Sequence, residues 1–179
     1  MIDPITFRTW FYRVLLVILV ALITFVYMLP ISTLPASFPG PDLPLALVYA
    51  WVMRRPEYVP ALLVAVLFFL IGILAQEPPG LRPALILIGL EYLRGRAQAT
   101  TDRPFAMEWG MVFAVMAAIL LAERVVLTVL LVEQVSFGKS VLRLLVTGAA
   151  YPVVVAISVY LFRVRRALPG EADALRSGL

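Results

Sequence analysis

Three stretches of this sequence, Phe11–Leu29, Trp109–Val132 and Val141–Phe162, are apolar over long distances. Each reaches or approaches the roughly 20 residues that a helix needs to cross the hydrocarbon region of a bilayer. Few folds accommodate three such segments in one short chain. Of the 179 residues, 63% are hydrophobic and only 15% charged, against roughly 45–50% and 25% in soluble domains. A soluble domain of this size cannot hide so much apolar surface. The sequence therefore reads as an all-α integral membrane protein forming a single polytopic domain.

The residue types also exclude chemistry. There is no cysteine and no histidine, which removes thiolate nucleophiles, disulfides, the commonest metal ligand and the commonest general base. No paired carboxylates, activated serine or Gly-rich phosphate loop stands out, so neither an enzyme nor a cofactor is expected. The net charge of +4 does not point to nucleic acid. Its arginines stand singly and in pairs beside apolar segments, as membrane-flanking arginines do.

Three further apolar runs are shorter: Leu43–Met53, Val59–Ala75 and Pro83–Leu93. Charge decides whether they cross. If all six do, eleven of the 15 basic residues share one side: Arg8, Arg13, Arg54, Arg55, Arg94, Arg96, Arg103, Arg163, Arg165, Arg166 and Arg176. Arg82, Lys139 and Arg143 fall on the other, and Arg124 lies inside the fifth span. Removing either short segment inverts every later loop and destroys the bias. The positive-inside rule then places both termini, including the tail 163–179, in the cytoplasm of a bacterial inner membrane. Trp10, Trp51 and Trp109 fall at the same interface, where amphipathic rings prefer to sit. The stretch from Val14 to Leu29 is long for a signal-peptide core and lacks a clear small-x-small cleavage site, so it reads as an uncleaved first span.

The second and fourth spans are alike. Each follows a Pro-Gly pair (Pro39–Gly40, Pro79–Gly80) and has a proline in its first turn (Pro44, Pro83). Each then runs through apolar residues to an aromatic (Trp51, Tyr92) and to arginine. Proline is tolerated where its missing N–H has no helical partner. Both helices thus begin below the periplasmic surface, after irregular backbone that protein or water must cover. Either neighbouring helices cover it, with local thinning of the bilayer, or the two short helices line a cleft open to the periplasm.

Glu123 and Arg124 form an intramembrane polar pair in the fifth span, read as a structural device or as a contact to a ligand or partner. Neighbours along a helix do not face each other, so each needs a partner elsewhere. Gly110, Ala114, Ala118 and Ala122 place a small residue at every fourth position, a stripe that permits close helix packing. Internal packing is the expectation. Gly148–Ala149–Ala150 before Pro152 predicts a kink or loosened turn in the sixth span.

The segment "FPGPDLPLALVYAWVMRRPEYVP", followed by "LLVAVLFFLIGILAQEPPGLRPALILIGLEYLRGR", resembles the rod shape-determining protein MreD family. The likeness covers roughly residues 38–96; the first span and the last two match in length, polarity and order. It implies a non-enzymatic scaffold of the cell-wall elongation complex, which binds the periplasmic scaffold MreC and acts with MreB, RodA and the elongation penicillin-binding protein. It also implies a six-helix fold similar to the S components of energy-coupling-factor vitamin transporters. A substrate-binding S component is the alternative function. Carried onto this chain, the resemblance marks Pro41, Asp42 and Leu43, with Pro44 beside them, and Arg54, Arg55, Pro56 and Glu57 as partner-binding residues. The chain departs from the family at Gly72, where an acidic residue is common.

Overall fold

A 12-residue helix, Leu43–Arg54, is the axis around which the rest of the chain packs. The computed structural model describes residues 4–29, 39–76, 78, 80–97, 104–132, 134–162 and 164. Among them the chain forms α1 (Pro4–Met28), α2 (Leu43–Arg54), a 3-10 turn (Pro56–Tyr58), α3 (Ala61–Leu74), α4 (Leu81–Ala97), α5 (Phe105–Val129) and α6 (Phe137–Tyr160), and no strand. The expected tail 163–179, apart from Val164, lies outside the described residues, as do Arg103, Pro79 and residues 30–38.

Local chemistry sets both ends of α2. The Asp42 side chain accepts from the Leu45 N–H, and Pro44 sits in the first turn, where no backbone donor is missed. At the other end the Arg55 N–H still reaches the Trp51 carbonyl at 2.7 Å, but Arg55 leaves helical geometry at φ −145°. Pro56 follows, and the residue before a proline is pushed out of the helical region. Every residue from Pro44 to Arg54 is buried, as befits a helix apolar on all sides. At about 18 Å the helix is far shorter than the roughly 30 Å hydrocarbon layer. It packs against α6, α4 and α1, so protein surrounds it and no thinning of the bilayer is needed.

All six helices run between the same two ends of the bundle. The Asp42 N–H donates to Thr147 and the Trp51 indole to Ser158, so α2 and α6 are parallel. Tyr49 donates to the Ile86 carbonyl and Asp42 pairs with Arg82, so α4 follows the same direction. Tyr27 donates to the Pro41 carbonyl, while Tyr12 packs edge-on against Trp51; α1 is antiparallel. Likewise Arg94 meets the Val59 carbonyl, and Arg54 meets Glu108, so α3 and α5 run with α1. Three helices, Thr6–Met28, Phe105–Val129 and Phe137–Tyr160, are long and apolar enough to cross a membrane, and Leu43–Arg54 and Ala61–Leu74 are shorter apolar helices. Large apolar side chains such as Phe11, Ile18, Phe25, Leu62 and Phe69 face outward. This is the surface of a polytopic membrane protein.

The helices extend past some apolar limits, most clearly in α4, which spans Leu81–Ala97 rather than Pro83–Leu93, and α5, which begins at Phe105. Arginine and glutamate end an apolar run without ending a helix.

Three expectations are corrected here. Trp51 does not face lipid or headgroups: it is fully buried, and its indole donates to Ser158 at 3.1 Å. The small-residue stripe does not pack internally, because Gly110, Ala114 and Ala118 are exposed and only Ala122 is half-buried. The inner face of α5 is Glu108, Val112, Met116 and Ile119, and a shift of two residues turns a helix through roughly 200°. Close helix approach occurs instead at Gly89, where a Cβ would lie 2.5 Å from the Tyr49 hydroxyl, and at Gly148, where it would lie 2.5 Å from the Phe113 ring.

The third concerns Pro152 and Trp109. Pro152 offers no N–H to the carbonyl four residues back, that of Gly148. The Trp109 indole donates to that carbonyl at 2.8 Å, and α6 runs unbroken from Phe137 to Tyr160. Trp109 therefore repairs a helix rather than only marking an interface. Trp109→Phe is expected to lower stability by about 1–3 kcal/mol by orphaning the carbonyl. Trp109→Phe with Pro152→Ala, which restores the backbone donor, should recover most of that loss in thermal unfolding in detergent.

Candidate functional site

Asp42 stands where four helices meet. Its Oδ1 accepts from the Leu45 N–H at 3.3 Å, and its own N–H donates to Thr147 Oγ1 at 2.8 Å. Thr147 in turn donates to the Arg143 carbonyl, one turn back on α6. Oδ2 pairs with Arg82 on α4 and lies 3.6 Å from Arg143 Nη2. Tyr27 of α1 holds the adjacent Pro41 carbonyl at 2.7 Å. One buried carboxylate thus caps α2, complements the positive end of its dipole and ties it to α4 and α6.

Beside this cluster opens a cleft of about 750 Å³. Its walls come from the first turns of α2 and α4, the residues just after α3, the second half of α5 with the segment that follows it, and the first half of α6. Leu45, Met116, Leu120, Leu127 and Leu144 supply apolar wall; Asp42, Arg82, Glu123, Arg124 and Arg143 supply charge. The irregular backbone before the two short helices is therefore covered on one side by helices and open on the other to this cleft.

Glu123 and Arg124 both line it, close to the end of α5. Arg124 reaches across to the Val135 carbonyl and to Ser140 Oγ, the latter at 2.8 Å, and its guanidinium lies 5.4 Å from the centre of the Phe137 ring. These partners hold the loop between α5 and α6 against the cleft.

The second half of the marked motif lies at the other end of α2. Arg54 is only 6% exposed; its Nη1 donates to Glu108 Oε1 at 2.7 Å and to the Ala50 carbonyl at 3.1 Å. The Tyr151 hydroxyl donates to the same Glu108 oxygen at 2.7 Å. Glu108 is wholly buried. Arg55, also buried, lies 3.3 Å from Glu57 Oε1, and Arg13 of α1 donates twice to the Glu57 carbonyl. Arg54 and Arg55 were expected at lipid headgroups. Both are instead buried: Arg54 because α5 and α6 bring a carboxylate and a phenol to the place where α2 ends, and Arg55 beside Glu57 of the following turn.

Of the eight marked residues, Asp42, Pro44, Arg54 and Arg55 are thus buried, and of these four only Asp42 lines the cleft, while Pro41, Leu43, Pro56 and Glu57 are partly exposed. They form two separate clusters about 18 Å apart along α2. No family model, curated protein or solved structure matches this chain. The site must therefore be read from its own geometry. Among the described residues no cluster of three or more acidic, histidine or cysteine side chains could hold a metal ion. The cleft offers guanidinium and carboxylate groups on an apolar wall, a set suited to binding a ligand that is part charged and part apolar.

Sequence reading missed Glu108, Tyr151, Thr147 and Ser140. None carries a distinguishing pattern: Glu108 looks like any acidic residue in a first helical turn, and the hydroxyls are isolated. Arg82 stood in the sequence only as an ordinary loop charge.

Proposed function

We propose that the protein is a non-enzymatic scaffold of the bacterial inner membrane that holds the cell-wall elongation machinery together, as the MreD family does. Both termini and the Arg54 end face the cytoplasm; the Asp42 end faces the periplasm. The observation that carries the reading is the charged cleft at the Asp42 end, built around the Pro41–Asp42–Leu43 segment on which the family resemblance rests. MreC docks on the rim of this cleft, where Pro41 and Leu43 are partly exposed. Asp42, Pro44, Arg54 and Arg55 position the rim and its counterpart rather than touch the partner. At the opposite end, Arg13, Pro56, Glu57 and Arg94 line an open groove of about 650 Å³. This face meets anionic headgroups, each nearby arginine contributing about 1 kcal/mol, and MreB. RodA and the elongation penicillin-binding protein complete the assembly.

The polarity of the cleft favours a second reading, a substrate-binding S component similar to those of vitamin transporters. Five charged side chains on its lining exceed what its flanking loops promised. Affinity purification from mild detergent, with identification of whatever is retained, separates the two. Recovery of MreC with the cell-wall synthases is the expected result. Recovery of ATPase subunits, or of a tightly held vitamin, would replace it with the transporter reading.

A further inference from the structure

We propose that the cleft holds the phosphate group of a membrane amphiphile, seated between Arg124 and Arg143, with the apolar body of that molecule against Leu120, Leu127 and Leu144. The charges come first. Three arginines and two carboxylates line the cleft, so it carries a surplus of positive charge. Asp42 is committed to Arg82 and to the Leu45 N–H, and it stands 3.6 Å from Arg143, whose side chain remains 45% exposed. The contacts of Arg124 among the described residues all go to uncharged groups: the Val135 carbonyl, the Ser140 hydroxyl and the Phe137 ring. A cation set into an apolar bundle is costly unless an anion accompanies it.

Position comes second. Ser140, which Arg124 holds, lies three residues before Arg143 on α6, so Arg124 is anchored within about one helical turn of Arg143, and both arginines line the cleft. Guanidinium forks match phosphate oxygens in charge and geometry. Size and polarity come third. A cleft of about 750 Å³ with five leucine and methionine side chains on its walls is too large and too apolar for inorganic phosphate alone. The outer faces of the surrounding helices are apolar, so bilayer lipid is the solvent next to the walls of the cleft. The proposal concerns the interior of the cleft and stands whether or not a protein docks at its rim.

The test uses the full chain, delipidated in a neutral detergent, with ligand retention read by native mass spectrometry and stability by thermal unfolding. The probes are phosphatidylglycerol, a diacylglycerol with the same chains but no phosphate, and inorganic phosphate. Phosphatidylglycerol is expected to be retained as a single adduct and to raise Tm by several degrees; the other two are expected to do neither. Arg124→Gln with Arg143→Gln should weaken retention by about tenfold or more, whereas Arg96→Gln, an exposed arginine at the other end, should not change it. Leu120→Phe narrows the apolar wall without touching a charge and should also weaken retention; it decides the matter if the double variant does not fold. Diacylglycerol or inorganic phosphate binding as well as phosphatidylglycerol overturns the proposal. Undiminished retention by the folded double variant, or a peptide mass retained in place of lipid, overturns it as well. MreC recovered with the double variant, despite lost lipid, separates this result from the fate of the scaffold reading.

Discussion

Glu108→Ala is expected to destabilise the folded protein by about 3–5 kcal/mol, because it leaves the Arg54 guanidinium buried without its carboxylate. Arg54 is 6% exposed and bonds directly to Glu108, so water cannot replace the lost partner. Arg54→Met should cost a similar amount, since the buried Glu108 carboxylate then loses the guanidinium that pairs with it. The informative variant carries Arg54→Met, Glu108→Leu and Tyr151→Phe together. Replacing buried polar groups that bond one another by apolar groups of similar volume is often close to neutral. The triple variant should therefore approach wild-type stability in thermal or denaturant unfolding in detergent. Trp51, one helical turn before the end of α2, provides a fluorescence signal near the site. Single variants as stable as wild type would show that the cluster opens to water and that its burial is wrong. A triple variant with the loss of the singles would mean that the polar set specifies the packing of α2 against α5 and α6.

Asp42→Asn is expected to cost about 1–3 kcal/mol, and Asp42→Ala about 1 kcal/mol more. The asparagine keeps an oxygen for the Leu45 N–H but removes the charge that faces Arg82 and Arg143. The alanine removes the cap as well. The difference between the two variants thus isolates the cap, and the first step isolates the ion pairing. Because Asp42 joins α2 to α4 and α6, both variants should also loosen the walls of the cleft. Faster hydrogen exchange at the start of α4 and around Thr147, with the Arg54 end unchanged, is the expected pattern. Equal stability of Asp42→Asn and wild type would assign the role of Asp42 to the cap alone.

These two clusters mark where sequence reading succeeded and where it failed. The six helices, the brevity of α2 and its two ends were all legible. Each depends on signals within a few residues: an apolar run, Asp42 before Pro44, and Arg55 before Pro56. The shared direction of α2, α4 and α6, visible in the Asp42–Thr147, Trp51–Ser158 and Asp42–Arg82 contacts, agrees with the alternation that the arginine bias required. A cleft beside the starts of the two short helices was one of the two alternatives left open, because irregular backbone inside a membrane must be covered or wetted.

The fate of single side chains was not legible. Arg54, Arg55 and Trp51 sit at the edge of an apolar run, and residues of those types there ordinarily reach the interface. The burial of Arg54 and Trp51 is decided by Glu108, Tyr151 and Ser158, the nearest of which is more than 50 residues away along the chain, while Arg55 pairs with Glu57 two residues on. The stripe from Gly110 to Ala122 shows a second limit. Spacing by fours says that small residues share a helical face, not that the face turns inward; Glu108, Val112, Met116 and Ile119 share one equally well.

The sequence by itself determined that this chain is a bundle of apolar helices with a short second member, because hydrophobic length, proline position and capping act locally. Only the tertiary structure decided that the short helix is the axis of the bundle, with a charged cluster fixed at each end. A charge inside a membrane protein is placed by the partner that neutralises it, and here those partners come from helices remote in sequence.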